Sequence, residues 1–377
     1  MKYSIEIGKI VEGALKHDQV KVLNYTRQLI AKLEEDKEER AVNKFTKLLT
    51  MQQESTLSAM GTTNNNNIPV DAESRTTLAD VIYPNENNIE VVLSQSNLDK
   101  LNSFILSYKN SDTLNSLGLG GSNTLLLYGP PGCGKTKCAY LIAKELKLPL
   151  IVARLDSLIS SYLGTTAKNI RTLFEFVQKT PCVLFLDEFD AIAKARDDSN
   201  ELGELKRVVN SLLQNVDAMS SDSLLLAATN HENLLDSAVW RRFNYKLEIE
   251  LPDIEAIYKM ISLFTNNNSI FTHKDKREMA TSFVGLSGAD IEEIVKKAMR
   301  NSVIYGYALS KTSIYDELFI FMKILPQNCK DEREIQRKKA KFLRNRDDKV
   351  FSYAVIANIL GISKTSVSKL IVEEEVV

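Results

Sequence analysis

Between residues 3 and 51 apolar positions recur at helical spacing in three sets: Ile7, Ile10, Val11, Ala14 and Leu15; Val22, Leu23, Leu29, Ile30 and Leu33; Val42, Phe45, Leu48 and Leu49. Three short amphipathic helices are expected, with Asp18 and Asp36 placed where caps or turns are needed. Residues 55–75, STLSAMGTTNNNNIPVDAESR, lose this period and carry an asparagine run, which reads as a linker. The helical unit before it is therefore expected to move relative to the remainder of the chain. The period then changes. Unbroken apolar runs at 124–128, 148–155, 182–186 and 224–228 alternate with longer helical patterns, as strands covered on both faces do. These runs predict an α/β fold with a parallel sheet flanked by helices. From Ile254 the pattern is helical throughout, predicting a small all-helical domain that ends near Leu325.

The chemistry gathers where those strands end. The run 124–128 opens into GPPGCGKT, Gly129, Pro130, Pro131, Gly132, Cys133, Gly134, Lys135 and Thr136, and a helical pattern starts at Lys137. A strand, a glycine-rich turn and a helix form a P-loop: successive backbone N–H groups and the helix N-terminus face a polyphosphate. Lys135 supplies a point charge to the β and γ phosphates, and the Thr136 hydroxyl suits Mg²⁺. The run 182–186 ends in Asp187-Glu188. Paired acids at a strand's carboxyl end suit a Mg²⁺ site, with Asp187 toward the metal and Glu188 polarising the attacking water. The run 224–228 delivers Thr229-Asn230, where Asn230 can hold the same water or sense the γ phosphate. Arg241 and Arg242 follow a short helical stretch; by themselves they read more commonly as a solvated charge pair.

Two further segments stand out. Tyr162-Leu163-Gly164 places an aromatic and an aliphatic residue in a stretch expected to be a loop, before a helix starting near Thr166; loops are mostly polar. At the other end RKKAKFLRNR carries six basic residues and no acid, directly before YAVIANILGISKTSVSKLI. The apolar spacing there, with Ala357 and Gly361 at the crossing, predicts a helix-turn-helix. Ser363 would cap its second helix, leaving Lys364, Thr365, Ser366, Ser368 and Lys369 to face a DNA groove; such units also dock proteins.

Composition narrows the field. With 377 residues, 48 Lys plus Arg and 49 Asp plus Glu, the chain is long enough for two or three domains. It carries no global field to steer it toward nucleic acid or membrane. Its four cysteines make no metal spacing and suit a reduced, cytoplasmic setting. No apolar run is long enough to cross a bilayer, and the first residues lack a signal-peptide pattern.

Taken in order, GPPGCGKT, LFLDEFD, AATN, DSAVWRRF and GLSGADIEEIV resemble the Walker A, Walker B, sensor 1, second-region-of-homology and small-domain motifs of AAA+ ATPases. The clade they resemble is the AAA clade of katanin- and spastin-like remodelling motors. The resemblance covers roughly residues 76–325 and implies ATP and Mg²⁺ as cofactors and a ring, usually a hexamer, with nucleotide between subunits. It also implies Arg241 and Arg242 as arginine fingers acting on a neighbour, and Tyr162, Leu163 and Gly164 as a pore loop gripping a polypeptide. A second pore loop would fall at 194–204. Gly288-Ala289 stand where other clades carry a sensor-2 arginine. The entry motif LADVIYP follows the family only loosely, and no HExxH peptidase motif occurs. The expected organisation is a helical unit (1–54), a linker (55–75), a large AAA+ domain (76–254), a small one (255–325) and a basic helix-turn-helix tail (326–377). This order resembles bacterial AAA ATPases encoded beside subtilisin-like serine proteases in phage defence or plasmid maintenance, which implies such a protease as partner. The alternative is a DNA-binding regulator addressed by its tail.

Overall fold

A computed structural model describes residues 3–56, 68–71, 75–84, 90–119, 123–158, 163–191, 202–219, 223–265, 270–324 and 331–372. The chain divides into two compact units. One comprises residues 1–91, 97–129 and 135–248, the other 92–96, 130–134 and 249–377.

The first unit is built on a six-stranded sheet of order β1-β3-β4-β5-β2-β6. Its strands are β1 (Ala79–Ile82), β2 (Asn123–Tyr128), β3 (Leu150–Ala153), β4 (Val183–Leu186), β5 (Leu224–Thr229) and β6 (Tyr245–Glu248). All pairs are parallel except β1 with β3, so a short antiparallel edge is added to the expected parallel sheet. Central-strand residues such as Leu126, Leu184 and Leu225 are fully buried, which is why their sequences are apolar without alternation. The flanking helices are α4 (Gln95–Lys109), α5 (Ser111–Ser116), α6 (Lys135–Leu146), α7 (Leu155–Leu158), α8 (Leu163–Lys179), α9 (Leu202–Asp217) and α10 (Ser237–Trp240).

Helices α1 (Ser4–Leu15), α2 (Gln19–Glu35) and α3 (Glu39–Thr56) match the three apolar sets, and the Asp18 side chain accepts from Lys21 N–H at 3.1 Å to cap α2. They touch the α/β part of the unit. Asn24 Nδ2 donates to Lys179 O at 3.5 Å, Lys179 Nζ lies 3.5 Å from Asp18, and Lys147 pairs with Glu35. The apolar pattern marks the buried face in α2, where Leu29, Ile30 and Leu33 are buried, but not in α1, where Glu6, Lys9 and Gly13 are buried while Ile7, Val11 and Leu15 are exposed; the polar ties to the ends of α8 and α6 have no such signature.

The second unit holds α11 (Ile254–Phe264), α12 (His273–Ser282), α13 (Gly288–Tyr305), α14 (Lys311–Phe321), α15 (Glu332–Arg346), α16 (Tyr353–Leu360) and α17 (Lys364–Val372). Thr272 with Asp275, and Ser287 with Asp290, form capping boxes that start α12 and α13. The tail helices share one core with the rest: Ala340, Leu343, Phe351, Ile356 and Val367 are buried in a cluster with Ile314, Tyr315 and Phe319. Helices α15, α16 and α17 therefore complete the helical unit's core rather than forming a free-standing module. Burial of the tail's apolar seam needs this partner surface, because three short helices cannot bury it alone.

Candidate functional site

In register, Tyr128 is opposite Thr229 and Leu186 opposite Ala227. The parallel strands β2, β4 and β5 thus end at one edge of the sheet and deliver Gly129, Asp187 and Asn230 there, the edge where open α/β sheets do their chemistry. Lys135, 7% exposed, donates from Nζ to Gly129 O at 2.8 Å, and Thr136 Oγ1 donates to Asp187 Oδ2 at 2.8 Å. A hydroxyl and a carboxylate oxygen in contact are the hard ligand pair that Mg²⁺ takes from protein when phosphate and water fill its other positions, so these residues fit the ion. Cys138 on α6 lies in the apolar core behind the loop, where burial pushes its thiol up to about 12; Cys182 is pushed up for the same reason. Both are inert packing groups.

Glu188 is exposed and has a φ of +50°. A non-glycine residue in this left-handed region is strained, a cost that functional sites often carry. The turn is held from both sides: Glu188 N–H donates to Asp187 Oδ1 at 2.9 Å and Phe189 N–H to Ala228 O at 2.8 Å. Asp190, buried, accepts from Thr229 Oγ1 at 3.1 Å, tying the acid turn to the strand that carries Asn230. Sequence reasoning missed Asp190. Its signal was a third acid in LFLDEFD, but only burial distinguishes a structural carboxylate from a solvated one.

In the second unit, residues 130–134 sit against the start of α13. Ala289 N–H donates to Gly132 O at 3.0 Å, and a Cβ on Gly132 would come within 2.6 Å of Ser287 Oγ. At Gly132, with a φ of +74°, both the conformation and the close approach call for glycine. Pro130, Pro131 and Cys133 flank it, Cys133 Sγ lying 3.7 Å from Pro131 O.

Arg241 and Arg242 part company. Arg242 reaches Asp217 at the end of α9, with Nε 3.1 Å and Nη2 3.0 Å from its carboxylate oxygens, and this pair raises the guanidinium's pKa. Arg241 is exposed. Tyr162 and most of the 194–204 segment lie outside the described residues; Leu163 and Gly164 do not form a loop but begin α8, three residues earlier than the helix start expected near Thr166.

A model of the ATPase family associated with various cellular activities (AAA) matches residues 125–251. An uncharacterized AAA family ATPase of Sinorhizobium fredii is 44% identical over 223 residues, 59% of this chain and 67% of the relative. This chain belongs to the AAA family of ATPases. Its reaction is the hydrolysis of ATP to ADP and phosphate. An ATP-dependent zinc metalloprotease FtsH of Lancefieldella parvula is 34% identical over 187 residues, 48% of this chain and 29% of the relative. Protein SAV of Sulfolobus acidocaldarius is 30% identical over 250 residues, 65% and 31% respectively. The AAA chain thus spans about two thirds of the first of these and under a third of the other two.

In the tail of this AAA chain α16 and α17 meet at an angle of 108°, and Ser366 N–H donates to Ser363 Oγ at 3.0 Å, the expected cap. Lys364, Thr365 and Lys369 are exposed, Ser366 and Ser368 half-buried. The basic run before it is spent on the protein itself. Lys339 pairs with Asp316 at 2.9 Å and lies 4.9 Å from the Phe319 ring centroid; Lys338 pairs with Glu334 at 3.0 Å; Arg344 bonds Phe351 O at 3.1 Å; Arg346 bonds Val284 O at 2.7 Å. Among the described residues no single helix is long and apolar enough to cross a membrane.

Proposed function

We propose that this AAA ATPase is a ring-forming motor that remodels or unfolds a protein, each nucleotide site being completed by a neighbouring copy. The observation that carries this reading is Arg241: an exposed arginine at the end of α10, beside a partner arginine already committed to its own chain. A cation presented outward, with no partner among the described residues of its own chain, suits stabilisation of a neighbour's developing phosphoryl charge, worth about 10³ to 10⁵ in rate.

Within one chain Lys135 and the P-loop backbone bind the polyphosphate, Thr136 and Asp187 would hold Mg²⁺, Glu188 takes the proton of the attacking water, and Asn230 orients that water. Bound Mg²⁺ supplies positive charge against the phosphates. Tyr162, Leu163 and Gly164 would line a central pore and grip an extended polypeptide. The relative named as an ATP-dependent zinc metalloprotease supports work on proteins. A subtilisin-like serine protease, in phage defence or plasmid maintenance, is the partner that the domain order favours.

The test is turnover against protein concentration. Specific ATPase activity is expected to rise as copies associate, and Arg241→Ala to keep nucleotide binding while losing most turnover; a concentration-independent rate unaffected by Arg241→Ala would defeat the reading. Glu188→Gln, expected to hold ATP and its substrate, then serves as the bait for a pull-down. The second reading, a DNA-bound regulator, is favoured by the 108° bend and the Ser363 cap. It is opposed by the engaged basic run and by Glu373, Glu374 and Glu375 directly after α17.

A further inference from the structure

Four successive residues at the end of α10 have different fates. Trp240, the only tryptophan of the chain, stands edge-on to Tyr128, ring centroids 5.3 Å apart; Tyr128 is the last residue of β2 and precedes Gly129. Arg242 is clamped by Asp217 and also donates from Nη1 to Ala238 O at 3.2 Å. Its backbone carbonyl accepts from Thr124 Oγ1 at 2.8 Å, and the same hydroxyl accepts from Asn244 N–H at 3.0 Å, stapling the segment to β2. Phe243, 2% exposed, meets Phe189 edge-on at 5.8 Å, and Phe189 follows Glu188. The Arg241 side chain, by contrast, has no hydrogen bond or ion pair among the described residues.

We propose that Trp240, Arg242 and Phe243 are positioning residues that hold Arg241 for a neighbouring copy and make its placement depend on the nucleotide site of its own chain. This rests on the reading of Arg241 given above. A long side chain on an unanchored turn would sample many placements, and a misplacement of about 1 Å can cost 10²-fold in rate. Here the turn is tied to both strands that carry phosphate-handling groups, to β2 through Tyr128 and Thr124 and to β4 through Phe189. Movement of either strand end when nucleotide binds is carried to the base of Arg241. The two arginines consequently divide the work: Arg241 touches the neighbour's phosphate, while the forked contact of Arg242 with Asp217 fixes where Arg241 starts.

Mixed assemblies test this. Glu188→Gln copies keep the arginine and a pocket that binds nucleotide without hydrolysing it, and Arg241→Ala copies keep a working pocket but lack the arginine; together they are expected to restore turnover several-fold above either alone. Asp217→Asn or Trp240→Ala placed in the Glu188→Gln copy is expected to cut the restored rate about tenfold or more, and Trp240→Phe to retain it. Placed in the Arg241→Ala copy, Asp217→Asn is expected to cost much less. Equal losses on both sides, or none on the donor side, overturn the positioning role; no restoration in the parent mixture overturns the action of Arg241 across copies. Asp217, whose side chain is 51% exposed, keeps the test open where Trp240→Ala fails to fold. In the full chain, Trp240 emission is expected to change on saturation with ADP and Mg²⁺, and unchanged emission would overturn the link to the chain's own pocket.

Discussion

Thr136 Oγ1 donates to Asp187 Oδ2 across 2.8 Å, joining the first turn of α6 to the end of β4, residues 51 positions apart in the chain. Replacing the hydroxyl should disconnect the two. Thr136→Ala is expected to raise the Mg²⁺ concentration needed for half-maximal turnover at least tenfold, with Thr136→Ser near wild type; a Mg²⁺ titration of ATPase activity reads both.

Glu188 couples strain to chemistry. Glu188→Gly removes the left-handed penalty and is expected to stabilise the fold by up to about 1 kcal/mol, seen as a higher Tm, while turnover falls by about 10² or more. Glu188→Gln should lose the same activity without the gain in Tm.

At Gly132 the expectation is the reverse. A Cβ there would meet Ser287 Oγ at 2.6 Å and the Ala289 Cβ at 3.0 Å, on a backbone with φ of +74°. Gly132→Ala is expected to destabilise by about 1–3 kcal/mol and to weaken nucleotide binding, measured by denaturant unfolding and by ADP titration.

The N-terminal helices carry an acid-sensitive contact. Hydrogen bonds from Lys16 and then Lys21 hold the Glu12 carboxyl at about 2, against an ordinary 4.5. A depressed folded value means that its contribution is complete above 4.5 and is lost as pH falls toward 2. Glu12→Gln should flatten the stability profile in that window and leave it unchanged in slope near neutrality, as followed by circular dichroism.

Arg346 is expected to act as a strap and not as a phosphate ligand. Its bond to Val284 O sits just past the end of α12, so Arg346→Ala should cost about 1–2 kcal/mol of stability. Removing residues 331–377 would bare Ile314, Tyr315 and Phe319, so DNA binding is better tested with Lys364→Glu and Lys369→Glu. A salt-dependent affinity lost in both would favour the regulator reading.

The strands, the P-loop and the acid pair were legible because burial and local geometry write themselves into short runs: apolar stretches of 5 to 8 residues, glycines at a turn, acids at a strand end. The three N-terminal helices were legible from helical spacing, but only in α2, through Leu29, Ile30 and Leu33, did that spacing also mark the buried face; in α1 Ile7, Val11 and Leu15 are exposed. The antiparallel β1, the polar ties from α2 to α8 and the absorption of α15 to α17 into the helical core were not. Each depends on which surface a segment meets, and a segment's own period records only that it has a face to bury.

What the sequence alone determined was the chemistry on offer: a loop that can bind polyphosphate, a hydroxyl and two acids suited to a metal and a water, and two adjacent arginines. Tertiary structure decided how each is spent. Arg241 and Arg242 are identical in kind and adjacent in the chain, yet Asp217 lies within reach of one and leaves the other facing outward. Likewise RKKAKFLRNR looks like a polyanion site until Asp316, Glu334, Phe351 O and Val284 O are found beside it. Charge is a property of the residue, but whether that charge is free is a property of its neighbours, which folding brings from tens of positions away.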